Sequence, residues 1–130
     1  MILVDSSVWI DYFNGRDTPA SRRLDELLGD QPLWTGDLIL AEVLAGFRRP
    51  RDARTARELL TSLEYADLVG PEVALLAAHN YRLLRRRGIT PRGLVDVIIA
   101  SFCALHGFQL LHSNRDFEAM AQHIRIRVIP

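Results

Sequence analysis

Four acidic residues, Asp5, Glu42, Asp96 and Asp116, stand in segments that are otherwise mostly apolar. Asp5 ends the opening run MILV, and Glu42 interrupts LILAEVLAGF. Asp96 is the only formal charge in LVDVIIASFCALHGF, and Asp116 follows FQLLH by a few residues. A lone carboxylate in apolar surroundings neutralises, pairs or binds a cation, because stripping its charge of water is costly. Four of them converging from separate elements form an all-oxygen set suited to a hard divalent cation. Such a cation points to phosphodiester chemistry.

Each acid also has a purely structural reading. Asp5 could cap a helix, although Ser6 and Ser7 are available for that task. Glu42 lies one helical turn from Leu38 and Gly46, on or near the apolar side, and could pair with an arginine at a helix edge. Arg92, four residues before Asp96, could neutralise it, and a place in the first turns of a helix favours an acid through the helix dipole. Ser113-Asn114-Arg115-Asp116 fits the capping-box pattern, with the acid reaching back to the cap amide. Among the other acids, Asp11 reads as exposed, Asp37 as a cap and Glu118 as solvent-facing. His112 ends a buried strand and suits either a phosphate contact or a structural role. His79, His106, His123 and Cys103 show no zinc-ligand spacing.

The elements that must position these residues follow from periodicity and punctuation. ILV reads as a short buried strand, followed by a helix through VWIDYF that Ser6 or Ser7 caps and Asn14-Gly15 ends. A helix covers Ser21 to Leu28, Leu33 to Thr35 forms a short strand, and a helix runs from about Asp37 to Phe47. Pro50 separates that helix from another over Ala53 to Leu63, and Tyr65 to Val69 is extended. A long helix starts near Pro71 and stops at Gly88. Thr90 as N-cap and Pro91 at the first helical position start an apolar helix that ends near Gly107. FQLLH is a buried strand, Ser113 caps a last short helix, and IRIRVI closes the chain as a strand. Short apolar strands alternating with helices predict an α/β fold, a parallel sheet of four to five short strands with helices on both faces. In such sheets ligands sit beyond the carboxyl ends of the strands, where Asp5 and the Asn114 to Asp116 turn both lie.

The 130 residues read as one domain spanning the whole sequence, and 48% apolar with 25% charged residues is ordinary globular composition. No apolar run reaches the roughly 18 residues of a membrane span. The start lacks the flanks of a signal peptide, and the single Cys103 cannot form an internal disulfide, so a cytoplasmic location is expected. Net charge is zero, so no global field recruits nucleic acid. All sixteen basic residues are arginine, however, and they cluster. Arg82, Arg85, Arg86 and Arg87, with Arg92 beyond, contain no intervening acid and are candidates for phosphate contact, which arginine's forked donors suit. Arg48, Arg49, Arg51, Arg54 and Arg57 are diluted by Asp52 and Glu58. Solvated helix faces are the alternative for both clusters. Trp9, Tyr12, Trp34 and Phe47 are candidate base stackers, with core packing as the alternative.

With the acids placed, the chain resembles the PIN-domain ribonucleases, and among them the VapC toxins of bacterial VapBC toxin–antitoxin pairs. ILVDSSVWIDYF is similar to the family's opening strand and first catalytic Asp, and LILAEVLAGF to the segment bearing its catalytic Glu. LVDVIIASFCALHG resembles the third acidic motif, and LLHSNRDF the closing strand-turn-DF motif. The resemblance implies a PIN-like domain whose catalytic and metal-ligating residues are Asp5, Glu42, Asp96 and Asp116, holding one or two Mg²⁺ or Mn²⁺ ions. It implies Ser7, or secondarily Ser6, as a support for a carboxylate or a metal water. It implies an endoribonuclease toxin that cuts single-stranded or structured RNA loops of tRNA or rRNA type, for which Arg85, Arg86, Arg87 and Arg92 are the candidate RNA contacts from charge clustering. It further implies a homodimer, assembled to a tetramer or larger with an antitoxin whose basic tail reaches the acidic cleft. Two positions depart from the pattern: Asn114 stands where many relatives have an acid, and His112 where threonine is common. Either Asn114 or Asp116 then completes the last ligand position. The alternative is a catalytically weak PIN-like module that binds RNA or protein. A receiver or phosphatase-like domain wants an active-site lysine, and the chain has none.

Overall fold

The structure, a computed structural model, describes residues 1–129. Five strands form one parallel sheet: β1 (Ile2–Val4), β2 (Trp34–Gly36), β3 (Glu64–Ala66), β4 (Gln109–Leu111) and β5 (Arg127–Val128). Their order is β3-β2-β1-β4-β5. Seven helices lie among the described residues: α1 (Ser6–Phe13), α2 (Pro19–Leu27), α3 (Asp37–Ala45), α4 (Pro50–Thr61), α5 (Gly70–Arg86), α6 (Leu94–His106) and α7 (Arg115–Ala121). The chain winds outward from β1 through β2 and β3, then returns to lay β4 on the other side of β1. Strand order therefore reverses between β1 and β4, which opens a crevice at their carboxyl ends. Val4 stands opposite Leu111, and the next residue extends the ladder, the Asp5 amide donating to the Leu111 carbonyl at 2.9 Å.

Ile2, Leu3 and Val4 are all buried although successive side chains point to opposite faces, so helices cover both sides of the sheet. The helices pack in two runs: α1 on α2 and α3, with α3 on α4, and then α5 on α6, with α6 on α7. Val8, Trp9, Leu24, Ile39, Leu60, Leu84, Ile99 and Phe117 are fully buried between these layers. A buried polar tie, Asn80 Nδ2 donating to Ser101 Oγ at 3.0 Å, links α5 to α6. Burial pushes the Cys103 thiol up to about 12, which leaves it inert.

Element boundaries differ from the sequence expectations where local chemistry intervenes. Thr18 and Ser21 form a reciprocal capping box, so α2 starts at Pro19 rather than Ser21. Pro50 occupies the first helical position of α4, a position that its fixed φ favours, so that helix starts at Pro50 rather than Ala53. β3 ends at Ala66 because Leu68 turns into the core and its amide bonds to Asp37 Oδ1 at 3.0 Å. IRIRVI contributes only Arg127–Val128 to the sheet, an edge strand with one partner. The Thr90-Pro91 helix start does not form. The Arg92 amide is drawn to Asp116 Oδ2 at 3.3 Å, and α6 begins at Leu94 behind Gly93.

Gly36 joins β2 to α3, the helix that carries Glu42. A Cβ there would run into the fully buried Leu68 side chain. Gly36→Ala is therefore expected to lower stability by about 1–3 kcal/mol through overpacking. The check is a lower denaturant midpoint with an unchanged m value.

Candidate active site

The site begins with the residue that leaves β1. Asp5 caps α1 itself, its Oδ2 accepting from the Ser7 amide at 3.0 Å and the Ser7 hydroxyl at 2.5 Å. Neither Ser6 nor Ser7 is the cap, because it is Asp5 that keeps extended backbone while its side chain reaches the second helical amide. Capping and ligation do not compete for one atom: Oδ1 is buried with no hydrogen-bond partner. Ser7 Oγ also accepts the Ser113 amide at 3.1 Å, stitching the residues after β4 to the start of α1.

Ser6 serves a different acid. Its hydroxyl donates to Glu42 Oε1 on α3 at 3.1 Å, a partnership that spans 36 positions and has no local signature. Glu42 is not on the apolar side as expected. Ile39 and Val43 form the buried face of α3, while Glu42 is exposed with its carboxylate turned to Ser6, and no arginine among the described residues pairs with it. Asp96 lies in the first turn of α6, and its Oδ2 accepts from Asn114 Nδ2 at 3.0 Å. Arg92 does not neutralise Asp96; its Nε lies 3.6 Å from Asp116 Oδ2. The Ser113 capping box does not form either, since the Ser113 amide is taken by Ser7. Asn114 caps α7 instead, Oδ1 accepting from the Asp116 amide at 2.9 Å.

The electrostatics show that the four acids share one neighbourhood. Burial first, then the charges of Asp5, Glu42 and Asp116, push Asp96 up to about 6 against the opposing Asn114 bond. Burial likewise raises Asp5, opposed mainly by its Ser7 bonds. Glu42 is raised by the burial of its carboxyl end and by the Asp5 charge, with the Ser6 bond opposing. Among the described residues, no three Asp, Glu, His or Cys side chains gather tightly enough to enclose an ion as they stand. Asp96 and Asp116 each have an oxygen engaged by a neighbour, Asn114 and Arg92. The set still fits a hard cation: the ligand atoms are all oxygens, one is buried and unpartnered, and three of the acids are pushed toward neutrality, by burial first.

The remaining candidates sort clearly. His112 is structural: Nδ1 accepts the Asn114 amide at 3.2 Å, the ring packs on Phe117, and burial lowers its pKa. Asp37 braces the Leu38 and Leu68 amides through Oδ1, with Gly36 as the helix cap. Asp11 is half-buried beside Arg16 rather than exposed, while Glu118 does face solvent. Trp9 is buried against Tyr12 and Phe13, and Trp34 packs edge-on to Phe108. Phe47 packs on Phe13 beside a cleft of about 510 Å³ that Arg48 and Arg49 also line. Arg85, Arg86 and Arg87 are exposed at the end of α5 and pair with no acid among the described residues, Arg85 standing 5.7 Å over the Tyr81 ring. A cleft of about 550 Å³ between α5 and α6, lined by Ala74, Tyr81, Arg82, Arg92 and Leu94, meets the acid site at Arg92.

A doubly wound parallel sheet with carboxylates gathered at its switch point defines a PIN-like α/β domain. The PIN domain profile matches residues 2–122. The chain is 36% identical to ribonuclease VapC32 of Mycobacterium tuberculosis over 82% of its length and 78% of the relative's. It is 29% identical to ribonuclease VapC11 of the same species over 94% and 92%. It also superposes on a chain of the VapBC2 complex from Rickettsia felis, solved bound to promoter DNA, with a TM-score of 0.77 at 18% identity, covering 99% and 98% of the two chains. For Mycobacterium tuberculosis VapC20, described as a sarcin–ricin-loop-cleaving toxin, the TM-score is 0.68 at 22% identity over 98% and 99%. The chain belongs to the PIN domain family, among its VapC members.

Proposed function

We propose that the protein is a VapC-type toxin, a divalent-metal-dependent endoribonuclease that hydrolyses RNA loops of tRNA or rRNA type. The observation that carries this reading is Asp5 Oδ1, a buried carboxylate oxygen without a partner, with Glu42 and Asp96 as its neighbours. The ribonuclease names of its relatives and the toxin–antitoxin complexes among its structural neighbours support it.

Asp5, Glu42 and Asp96 would hold Mg²⁺ or Mn²⁺ directly or through water, and Asp116 or Asn114 would complete a second position. One or two such ions would polarise the scissile phosphate and make a water acidic enough to attack it. Ser7 fixes Asp5 Oδ2 and so leaves Oδ1 for the ion, while Ser6 restrains Glu42. Arg85, Arg86, Arg87 and Arg92 would bind phosphates of an unpaired loop, the form in which RNA exposes its bases.

The same reading includes a homodimer, a larger assembly with a cognate antitoxin whose basic tail occupies the acidic cleft, and a cytoplasmic location. No helix among the described residues is long and apolar enough to cross a membrane. The alternative, a PIN-like binding module with weak catalysis, draws on Asn114 in place of an acid and on the open spacing of the carboxylates. Incubating antitoxin-free protein with total RNA and Mg²⁺ or Mn²⁺ decides between them. Discrete fragments that disappear with EDTA are expected; intact RNA beside folded protein would favour the binding module.

A further inference from the structure

We infer that Arg92 is a positioning residue that holds Asp116 out of the ion site until an RNA phosphate draws its guanidinium away. The inference rests on the nuclease reading above and deepens it by coupling ion binding to substrate. It starts from an asymmetry among the four acids. Asp5 is held by the Ser7 amide and hydroxyl, Glu42 by the Ser6 hydroxyl, and Asp96 by the Asn114 amide, all neutral donors. Only Asp116 has a cationic side chain of the chain itself beside it, the Arg92 amide donating to its Oδ2 at 3.3 Å and the Arg92 Nε lying 3.6 Å from the same oxygen.

The pair is built to part. The Arg92 side chain is 81% exposed and that of Asp116 22%, so the carboxylate is half-buried while the arginine lies in solvent. An exposed pair of this kind is worth little, and at 3.6 Å it is not a bidentate fork. Arg92 also lines the α5–α6 cleft with Tyr81 and Arg82, and Arg82 pairs with no acid among the described residues. A phosphate entering that cleft offers the guanidinium two charge-assisted bonds in fork geometry, a better partner than Asp116 gives. Asp116 is then released to the ion. Reciprocity requires that RNA tighten the ion and the ion tighten RNA.

The test is calorimetric titration of Mn²⁺ into the wild type, Arg92→Gln, Asp116→Asn and the double variant, without RNA. Arg92→Gln is expected to bind Mn²⁺ up to about fivefold more tightly, ~1 kcal/mol at 1.4 kcal/mol per decade, the upper range for an exposed pair. The Arg92 amide remains in every variant, so the change reads the guanidinium alone. Asp116→Asn is expected to erase the gain in the double variant, the non-additivity of a direct pair. Arg92→Gln is also expected to weaken binding of a single-stranded RNA oligonucleotide in EDTA, and Arg92→Lys to retain most of it. A gain that persists in the Asp116→Asn background would be a general charge effect and would overturn the latch, as would equal Mn²⁺ affinity in wild type and Arg92→Gln. No Mn²⁺ uptake by the wild type would overturn the nuclease reading and the latch together.

Discussion

Asp5→Asn is expected to abolish RNA cleavage while raising the melting temperature of the metal-free protein. The loss should reach about a thousandfold or more, because a ligand is removed from an ion that contributes several kcal/mol to the transition state. The gain in stability comes from the same atom. Asp5 is 2% exposed, its Oδ1 has no partner, and burial raises its pKa. A carboxyl whose folded pKa lies above its unfolded value penalises the folded state once pH passes the unfolded value, so the penalty is present in neutral buffer. Asparagine caps helices as well as aspartate, so the Ser7 bonds keep an acceptor. Its amide nitrogen inherits the unpaired position, which limits the gain to about 1–2 kcal/mol, or roughly 3–8 °C for a domain of this size. Asp5→Ala separates the two effects, since losing the cap costs about 1 kcal/mol. Melting in EDTA at pH 7.5 is the check, and an Asp5→Asn protein that melts below wild type would contradict this account of the carboxylate.

The second large effect links metal, pH and stability. Asp96 titrates near about 6 in the folded protein against an ordinary 3.8. Between those values the folded state holds the proton that the unfolded state has lost, so Asp96 makes metal-free stability fall as pH rises from about 4 to about 6. Asp5 and Glu42 shift in the same direction and add to the fall. Asp96 is half-buried, and screening reduces its own share to on the order of 1 kcal/mol. A divalent ion relieves the repulsion only where the carboxylates are charged. Mg²⁺ or Mn²⁺ at a hundred times its dissociation constant should therefore stabilise the protein by about 2.7 kcal/mol at pH 8 and by clearly less at pH 5. Asp96→Asn should flatten the metal-free slope and remove most of the metal response. Thermal scans across pH, with and without ion, read both; an equal metal shift at pH 5 and pH 8 would count against carboxylate ligation.

What was legible in the sequence was whatever local pattern encodes. Short, mostly apolar runs such as ILV and FQLLH announced buried parallel strands, and charges inside apolar stretches singled out the candidate acids. The architecture followed, because short strands alternating with helices leave few topologies. What was not legible lies in side chains meeting across sequence. Ser6 and Ser7 are adjacent, yet one holds Glu42, 36 positions away, and the other holds Asp5. Arg92 lies a helical turn before Asp96 in sequence, but its partner is Asp116, 24 positions on, because α6 starts later than Thr90-Pro91 suggested. The Ser113 capping box had the right letters and failed for the same reason: a distant hydroxyl, Ser7 Oγ, had already taken the Ser113 amide.

The most direct measurement is anomalous diffraction from crystals of the protein equilibrated with Mn²⁺. The account predicts a peak within ligand distance of Asp5 Oδ1, shared with Glu42 or Asp96, that is lost in Asp5→Asn. A well-occupied Mn²⁺ peak elsewhere on the molecule, with none between these carboxylates, would contradict it.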